Sequence, residues 1–178
     1  KVVIAHDSRH HSDQYARNAA DVLTANGIRV FLFDRLRPTP ELSFAVRHLK
    51  AQGGIVVTAS HNPKEYNGYK VYWDDGAQVV PPHDVGIIEE VRRVQGLADV
   101  KRTPNPALLS MIGKEVDEAY LARLITLTLN PAAIRDQKGL GILYVDNLTA
   151  THSFADEDLE FLIAFGGLTA VAIENSQL

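Results

Sequence analysis

The sequence predicts an α/β fold: a mixed, mostly parallel sheet with helices on both faces, three layers in α/β/α order, completed by a C-terminal strand and helix. Three observations predict it. Short apolar runs at residues 2–5, 30–33 and 55–58 are too brief for helices and are rich in β-branched and aromatic side chains. Between them lie segments with helical spacing, residues 12–26 and 41–52, and such alternation builds βαβ units whose strands pair parallel. Asp74-Asp75-Gly76 is a turn signal, so one hairpin-like step interrupts the parallel pattern.

The elements follow in order. Val2-Val3-Ile4-Ala5 ends at the polar Asp7-Ser8-Arg9, and the helix over 12–26 stops at Gly27 with Ala16, Ala19, Ala20 and Leu23 on its inward face. Val30-Phe31-Leu32-Phe33 is the second strand. Pro38-Thr39-Pro40 leads rigidly into a helix over 41–52, ended by Gly53-Gly54, and residues 55–58 form the third strand. Tyr69-Lys70-Val71-Tyr72-Trp73 is the fourth, turned back toward Ala77-Gln78-Val79-Val80. Pro81-Pro82 ends the strands, and a helix over 83–95 carries Val85, Ile88 and Val91 among its apolar positions. In an open α/β sheet, ligands sit at the carboxyl ends of the strands, where both Arg9 and Ser60 fall.

The most specific signal is Thr58-Ala59-Ser60-His61-Asn62-Pro63, followed by Tyr66-Asn67-Gly68-Tyr69-Lys70. It places a hydroxyl, an imidazole and an ammonium group at the mouth of one strand-loop-strand unit. Alone, Ser-His-Asn-Pro reads as an ordinary turn in which Ser and Asn bond local backbone. The flanking strands and the downstream Asn-Gly-Tyr-Lys raise the functional reading above that one. This run resembles the phosphoserine loop of the α-D-phosphohexomutases, the phosphoglucomutase and phosphomannomutase family.

The resemblance implies a role for each residue. Ser60 would carry a phosphoryl group between two hydroxyls of one hexose phosphate, since a serine phosphate is stable to water yet can be displaced. His61 and Lys70 would manage protons and negative charge beside it. Arg9, in Asp7-Ser8-Arg9, resembles the family's arginine that lies close to the phosphoserine, and a planar guanidinium suits phosphate. The metal of the family is Mg2+, met here through the phosphate on Ser60, while the family's carboxylate loop that would hold it does not appear in this sequence. His10-His11 lacks ligand spacing and reads as a solvated pair.

Composition narrows the alternatives. With 178 residues, 46% hydrophobic and 22% charged, the chain has enough apolar material for one ordinary domain plus an appendage. A net charge of −4 without a basic run argues against nucleic acid as a partner. No apolar stretch approaches the roughly 18 residues that a membrane span needs, and Lys1-Val2 begins no signal-peptide pattern. Zero cysteines excludes disulfides and thiolate metal sites and suits a cytoplasmic location.

Residues 1–138 thus read as a phosphohexomutase first domain, truncated at its N-terminus. Ile112-Gly113-Lys114 through Leu121 and the helix start at Asn130-Pro131 continue that likeness. The H-G-T-G loop, the D-x-D-x-D metal loop and the sugar-reading loop of the family do not appear. Residues 139–178 resemble a different family. Gly141-Ile142-Leu143-Tyr144-Val145-Asp146-Asn147, Phe154 to Leu162 and Ala170-Val171-Ala172-Ile173-Glu174-Asn175 are similar to the last strand and closing helix of GAF domains. The expectation is a recombined or engineered chimera joined near 139–141, catalytically incomplete, binding hexose phosphate weakly and pairing as a homodimer through its C-terminal helix. The rival reading is a folding or interaction protein, or a GAF-like sensing fragment, with no enzymatic activity.

Overall fold

The three apolar runs become β1 (Val2–His6), β2 (Val30–Phe33) and β3 (Gly53–Val57). In the computed structural model, which describes residues 1–63 and 65–127, β1 lies between the other two and pairs parallel with both, Val2 facing Val30 on one side and Gly53 on the other. Strands apolar on both faces need cover on both, and the crossover helices supply it. Because successive side chains point to opposite faces, Ile4, Val30, Leu32, Ile55 and Val57 pack with Ala16 and Ala20 of α1 (Ser12–Ala25). Val3, Ala5, Phe33 and Val56 turn the other way, toward Leu42, Ala45 and Val46 of α2 (Thr39–His48). The expected mixed α/β sheet with helices on both faces is therefore observed.

Two edges complete the sheet, in the order β4-β3-β1-β2-β5. β4 (Tyr69–Tyr72) runs antiparallel to β3, and the expected hairpin-like return is a single bridge between Tyr72 and Gln78. β5 (Leu109–Ile112) pairs parallel with β2 and is a strand that the apolar runs do not predict. It is short, half-buried and enclosed by polar and proline-containing sequence, so its apolar run is weak.

Three further expectations are refined. α2 begins two residues before 41 and ends at His48, because Pro40, having no N–H to lose, suits the first turn. Gly53-Gly54 lies inside β3 instead of ending the helix, and a Cβ on Gly54 would sit 2.6 Å from Val46 Cγ2, so a glycine lets α2 approach the strand. α3 (His83–Arg93) forms as expected but buries none of its residues: Val85, Ile88 and Val91 are 54%, 46% and 60% exposed. On the inward face of α1, Ala19 and Leu23 are partly buried, while Ser12 and Thr24 join Ala16 and Ala20 as fully covered positions.

Lys1–Tyr120 forms one compact unit and Leu121–Leu178 a second, with α4 (Lys114–Leu127) beginning in the first. The expected join near 139–141, the helix start at Asn130, the GAF-like strand and helix, and the homodimer built on them lie outside the described residues. No described helix is long and apolar enough to cross a membrane.

One polar cluster ties α2 to α4. Arg37 donates from Nε and Nη2 to the two carboxylate oxygens of Asp117 (2.8 and 2.7 Å), and Glu41 lies 3.9 Å from the same guanidinium. Glu41 is 4% exposed, its Oε1 has no hydrogen-bond partner, and burial, reinforced by the hydrogen bond and charge of Asp117, pushes its carboxyl up to about 8. Burial works against ionising Asp117 too, but hydrogen bonds from Arg37 and Glu41 outweigh it and hold that carboxyl below its ordinary value. A carboxyl raised from 4.5 to about 8 contributes stability that is complete below pH 4.5 and lost as pH rises to 8. Wild-type stability in urea is therefore expected to fall by on the order of 2 kcal/mol between pH 5 and 8.5. Glu41→Gln should flatten that slope, and equal slopes in the two proteins would refute the assignment.

Candidate active site

At the end of β3 the chain leaves the core within three residues. Thr58 and Ala59 remain buried at 8% and 9% exposure, while Ser60 emerges on the surface with φ at +55°. A left-handed conformation costs a non-glycine residue roughly 1–2 kcal/mol, so neighbouring bonds must hold it. The Ser60 N–H donates to Thr58 Oγ1 (3.1 Å), and the Asn62 N–H to the Ala59 carbonyl (3.1 Å). Below them the Thr58 N–H donates to the Gly68 carbonyl (3.1 Å). A Cβ on Gly68 would lie 2.5 Å from the Thr58 oxygen, so only glycine allows the returning chain this close.

The structure brings the four expected site residues to this one loop. Lys70, the second residue of β4, donates from Nζ to Ser60 Oγ at 2.5 Å. His61 is exposed next to Ser60. Arg9, 12% exposed past the end of β1, lies close to Ser60, as expected of it, and in this structure its nitrogens bond the loop carbonyls and Asp7. Its Nη2 donates to the Ser60 carbonyl (2.6 Å), its Nη1 to the carbonyls of Pro63 (2.7 Å) and Tyr66 (3.3 Å), and its Nε to Asp7 Oδ2 (3.0 Å). The guanidinium grips the backbone of the loop while Lys70 meets the hydroxyl.

Sequence reasoning missed three residues here: Asp7, Ser12 and Asn67. Ser12 Oγ donates to Asp7 Oδ1 (2.7 Å) and Asn67 Nδ2 donates to Ser12 Oγ (2.8 Å). The available signal was the Asn67-Gly68 pair in the loop motif. Its partner lies 55 residues away, which no local pattern discloses.

Chemically, the arrangement is an exposed hydroxyl with an ammonium against its oxygen, an imidazole at hand and a loop held from beneath. Among the described residues no three His, Asp or Glu side chains come together in a way that would hold a metal ion. Asp7 is already committed to Arg9 and Ser12. These donors by themselves do not make the Mg2+ site that the resemblance implies.

Residues 1–97 match the family model described as phosphoglucomutase/phosphomannomutase, alpha/beta/alpha domain I. The chain belongs to the phosphoglucomutase/phosphomannomutase family. Among its relatives, the human protein named phosphopentomutase is 50% identical over 96 residues, covering 51% of this chain and 16% of the relative. A probable phosphomannomutase of Haemophilus influenzae is 36% identical over 172 residues, covering 94% of this chain and 33% of the relative. Among solved structures, a putative phosphomannomutase from Thermus thermophilus superposes with a TM-score of 0.62 at 34% identity, over 71% of this chain and 27% of that one. The chain thus spans a third or less of these family members. The matched residues 1–97 hold Arg9, Ser60, His61 and Lys70 together.

Proposed function

We propose that this chain carries the phosphate-holding step of a phosphosugar mutase, with Ser60 as the carrier. The observation that supports it is the Lys70 ammonium 2.5 Å from an exposed Ser60 Oγ on a loop fixed from three sides. In the step, Ser60 Oγ attacks a phosphoryl group of a sugar bisphosphate. The Oγ–P bond forms as the bond between phosphorus and the sugar oxygen breaks, His61 takes the serine proton, and that same proton passes from His61 to the departing sugar oxygen. Lys70 stabilises the charge that develops on the transferred group, since a cation already in place needs no reorganisation. The reverse sequence returns the phosphoryl group to a sugar hydroxyl. The substrate class is a sugar phosphate, hexose as the loop resemblance implies, or pentose as the name of the human relative suggests.

Turning the sugar over between two phosphorylations is not assigned to this chain, which matches a third or less of its relatives. Weak binding of the sugar phosphate and slow phosphorylation fit that share. The rival, an inactive protein ending in a GAF-like strand and helix from residue 139, is carried by the motifs at 141–147 and 170–175. Against a splice stands the Haemophilus alignment, whose 94% coverage takes in part of residues 139–178.

Incubation with glucose 1,6-bisphosphate followed by intact-mass measurement tests the proposal. The wild-type chain is expected to gain one phosphoryl unit, and Ser60→Ala none. An equal gain in the Ser60→Ala protein would overturn the assignment of the carrier.

A further inference from the structure

We propose that Asp7, Ser12 and Asn67 form a polarised hydrogen-bond relay that sets the Ser60 backbone so that its hydroxyl meets Lys70, which makes Ser12 and Asn67 positioning residues for phosphoryl transfer. The inference rests on the reading of Ser60 as the phosphate carrier. It starts from a buried hydroxyl. Ser12 is the first residue of α1, directly after the N-cap His11, and is fully covered. Its oxygen is spent on Asp7, five residues back, and on Asn67, 55 residues ahead.

The chemistry of the donors dictates the order of the links. A carboxylate only accepts, and Asp7 accepts from the Arg9 N–H and the Ser12 hydroxyl through Oδ1 (3.0 and 2.7 Å) and from Arg9 Nε through Oδ2 (3.0 Å). Ser12 has one proton and gives it to Asp7, so toward Asn67 it offers only lone pairs. Asn67 must therefore turn its NH2 group to Ser12 (2.8 Å), from which it also reaches the His10 carbonyl (3.2 Å). That leaves Asn67 Oδ1 to accept the Gly68 N–H (2.9 Å). The Gly68 carbonyl accepts the Thr58 N–H, and Thr58 Oγ1 accepts the Ser60 N–H, each at 3.1 Å. A continuous path runs from the Asp7 carboxylate to the amide of Ser60. From Asp7 to Asn67 each link's direction follows from the one before it; from Gly68 to Ser60 the backbone donors and acceptors fix it themselves.

Such a relay matters because Ser60 holds a left-handed φ that no glycine eases. Displacement of a reacting atom by about 1 Å costs on the order of 100-fold in rate, so a small relaxation of the loop would show as lost reactivity. Ser12→Ala removes the middle link. Asn67→Asp replaces the donor with an acceptor that faces the lone pairs of Ser12, and because Asn67 is partly exposed this variant spares the core. Ser12→Thr keeps the hydroxyl.

The experiment measures initial phosphorylation of Ser60 by glucose 1,6-bisphosphate across concentrations, together with the 1H–15N shift of the Ser60 amide in the unphosphorylated full chain. Ser12→Ala and Asn67→Asp are expected to lower the saturating rate tenfold or more, with the half-saturating concentration changed less than threefold. Both should shift the Ser60 amide while the amides of Ile4 and Val56 stay in place, and Ser12→Thr should restore both readouts. Wild-type rates and an unmoved Ser60 amide in Asn67→Asp would overturn the relay. If the wild-type chain takes up no phosphate, the carrier reading fails and the relay is judged on the Ser60 amide alone.

Discussion

Replacing Lys70 with methionine is expected to slow phosphate uptake on Ser60 by about 100- to 1,000-fold, the size of effect seen when one preorganised donor is removed from a developing negative charge. Lys70 is the side chain that meets the Ser60 oxygen, at 2.5 Å, whereas the nitrogens of Arg9 are engaged by the loop carbonyls and Asp7. Loss of the ammonium therefore leaves the transferred phosphoryl group without its nearest cation. Methionine keeps most of the apolar stem, and Lys70 sits on the edge strand β4, so folding should be little changed. Lys70→Arg should recover only part of the rate, because a planar fork does not replace a point charge of different reach. Intact-mass time courses with glucose 1,6-bisphosphate give the rates, alongside thermal melting as the control for folding. A methionine variant within threefold of wild type would remove Lys70 from the mechanism.

The largest effect on stability is expected from Arg37→Met, which should cost on the order of 2–3 kcal/mol at pH 7.5, below the full cost of breaking a buried ion pair from one side because Asp117 is 29% exposed. Arg37 is 12% exposed, holds Asp117 through two hydrogen bonds, neighbours Glu41 and lies 5.5 Å from the centre of the Phe33 ring. Without it, two carboxyl groups share a covered space with no cation. The sign of the pH dependence follows. Asp117 is held low by Arg37 in the native state, so its contribution exists above its ordinary value of 3.8 and vanishes as pH falls through the lowered native value. In the variant that contribution is gone and Asp117, like Glu41, resists ionisation, so the deficit should be smallest well below pH 3.8, where Asp117 is protonated in both proteins, and grow toward pH 8. Adding Asp117→Asn should recover part of the loss. Urea unfolding across that range decides the matter, and a deficit below 1 kcal/mol or one independent of pH would show that the cluster does not hold α2 to α4.

What was legible in the sequence was whatever one stretch of chain determines locally. The uninterrupted apolar runs at residues 2–5 and 30–33 required strands covered on both sides, and Ala16 and Ala20 marked the helix face that covers one of them. The loop from Thr58 to Lys70 identified the hydroxyl and its ammonium partner, because ten residues of sequence separate them and a single hairpin-like unit brings them together. What only the tertiary structure decided lies in pairings between distant segments. Arg9 grips carbonyls more than 50 residues away, Asp7 reaches the Ser60 loop through Ser12 and Asn67, and Arg37 finds Asp117 across 80 residues. The edge position of β5 and the uncovered apolar side of α3 belong to the same class. The reason is physical: periodicity in a sequence reports which side of an element is apolar, while the partner of a polar group is chosen by which strand ends and helix starts the completed sheet sets side by side.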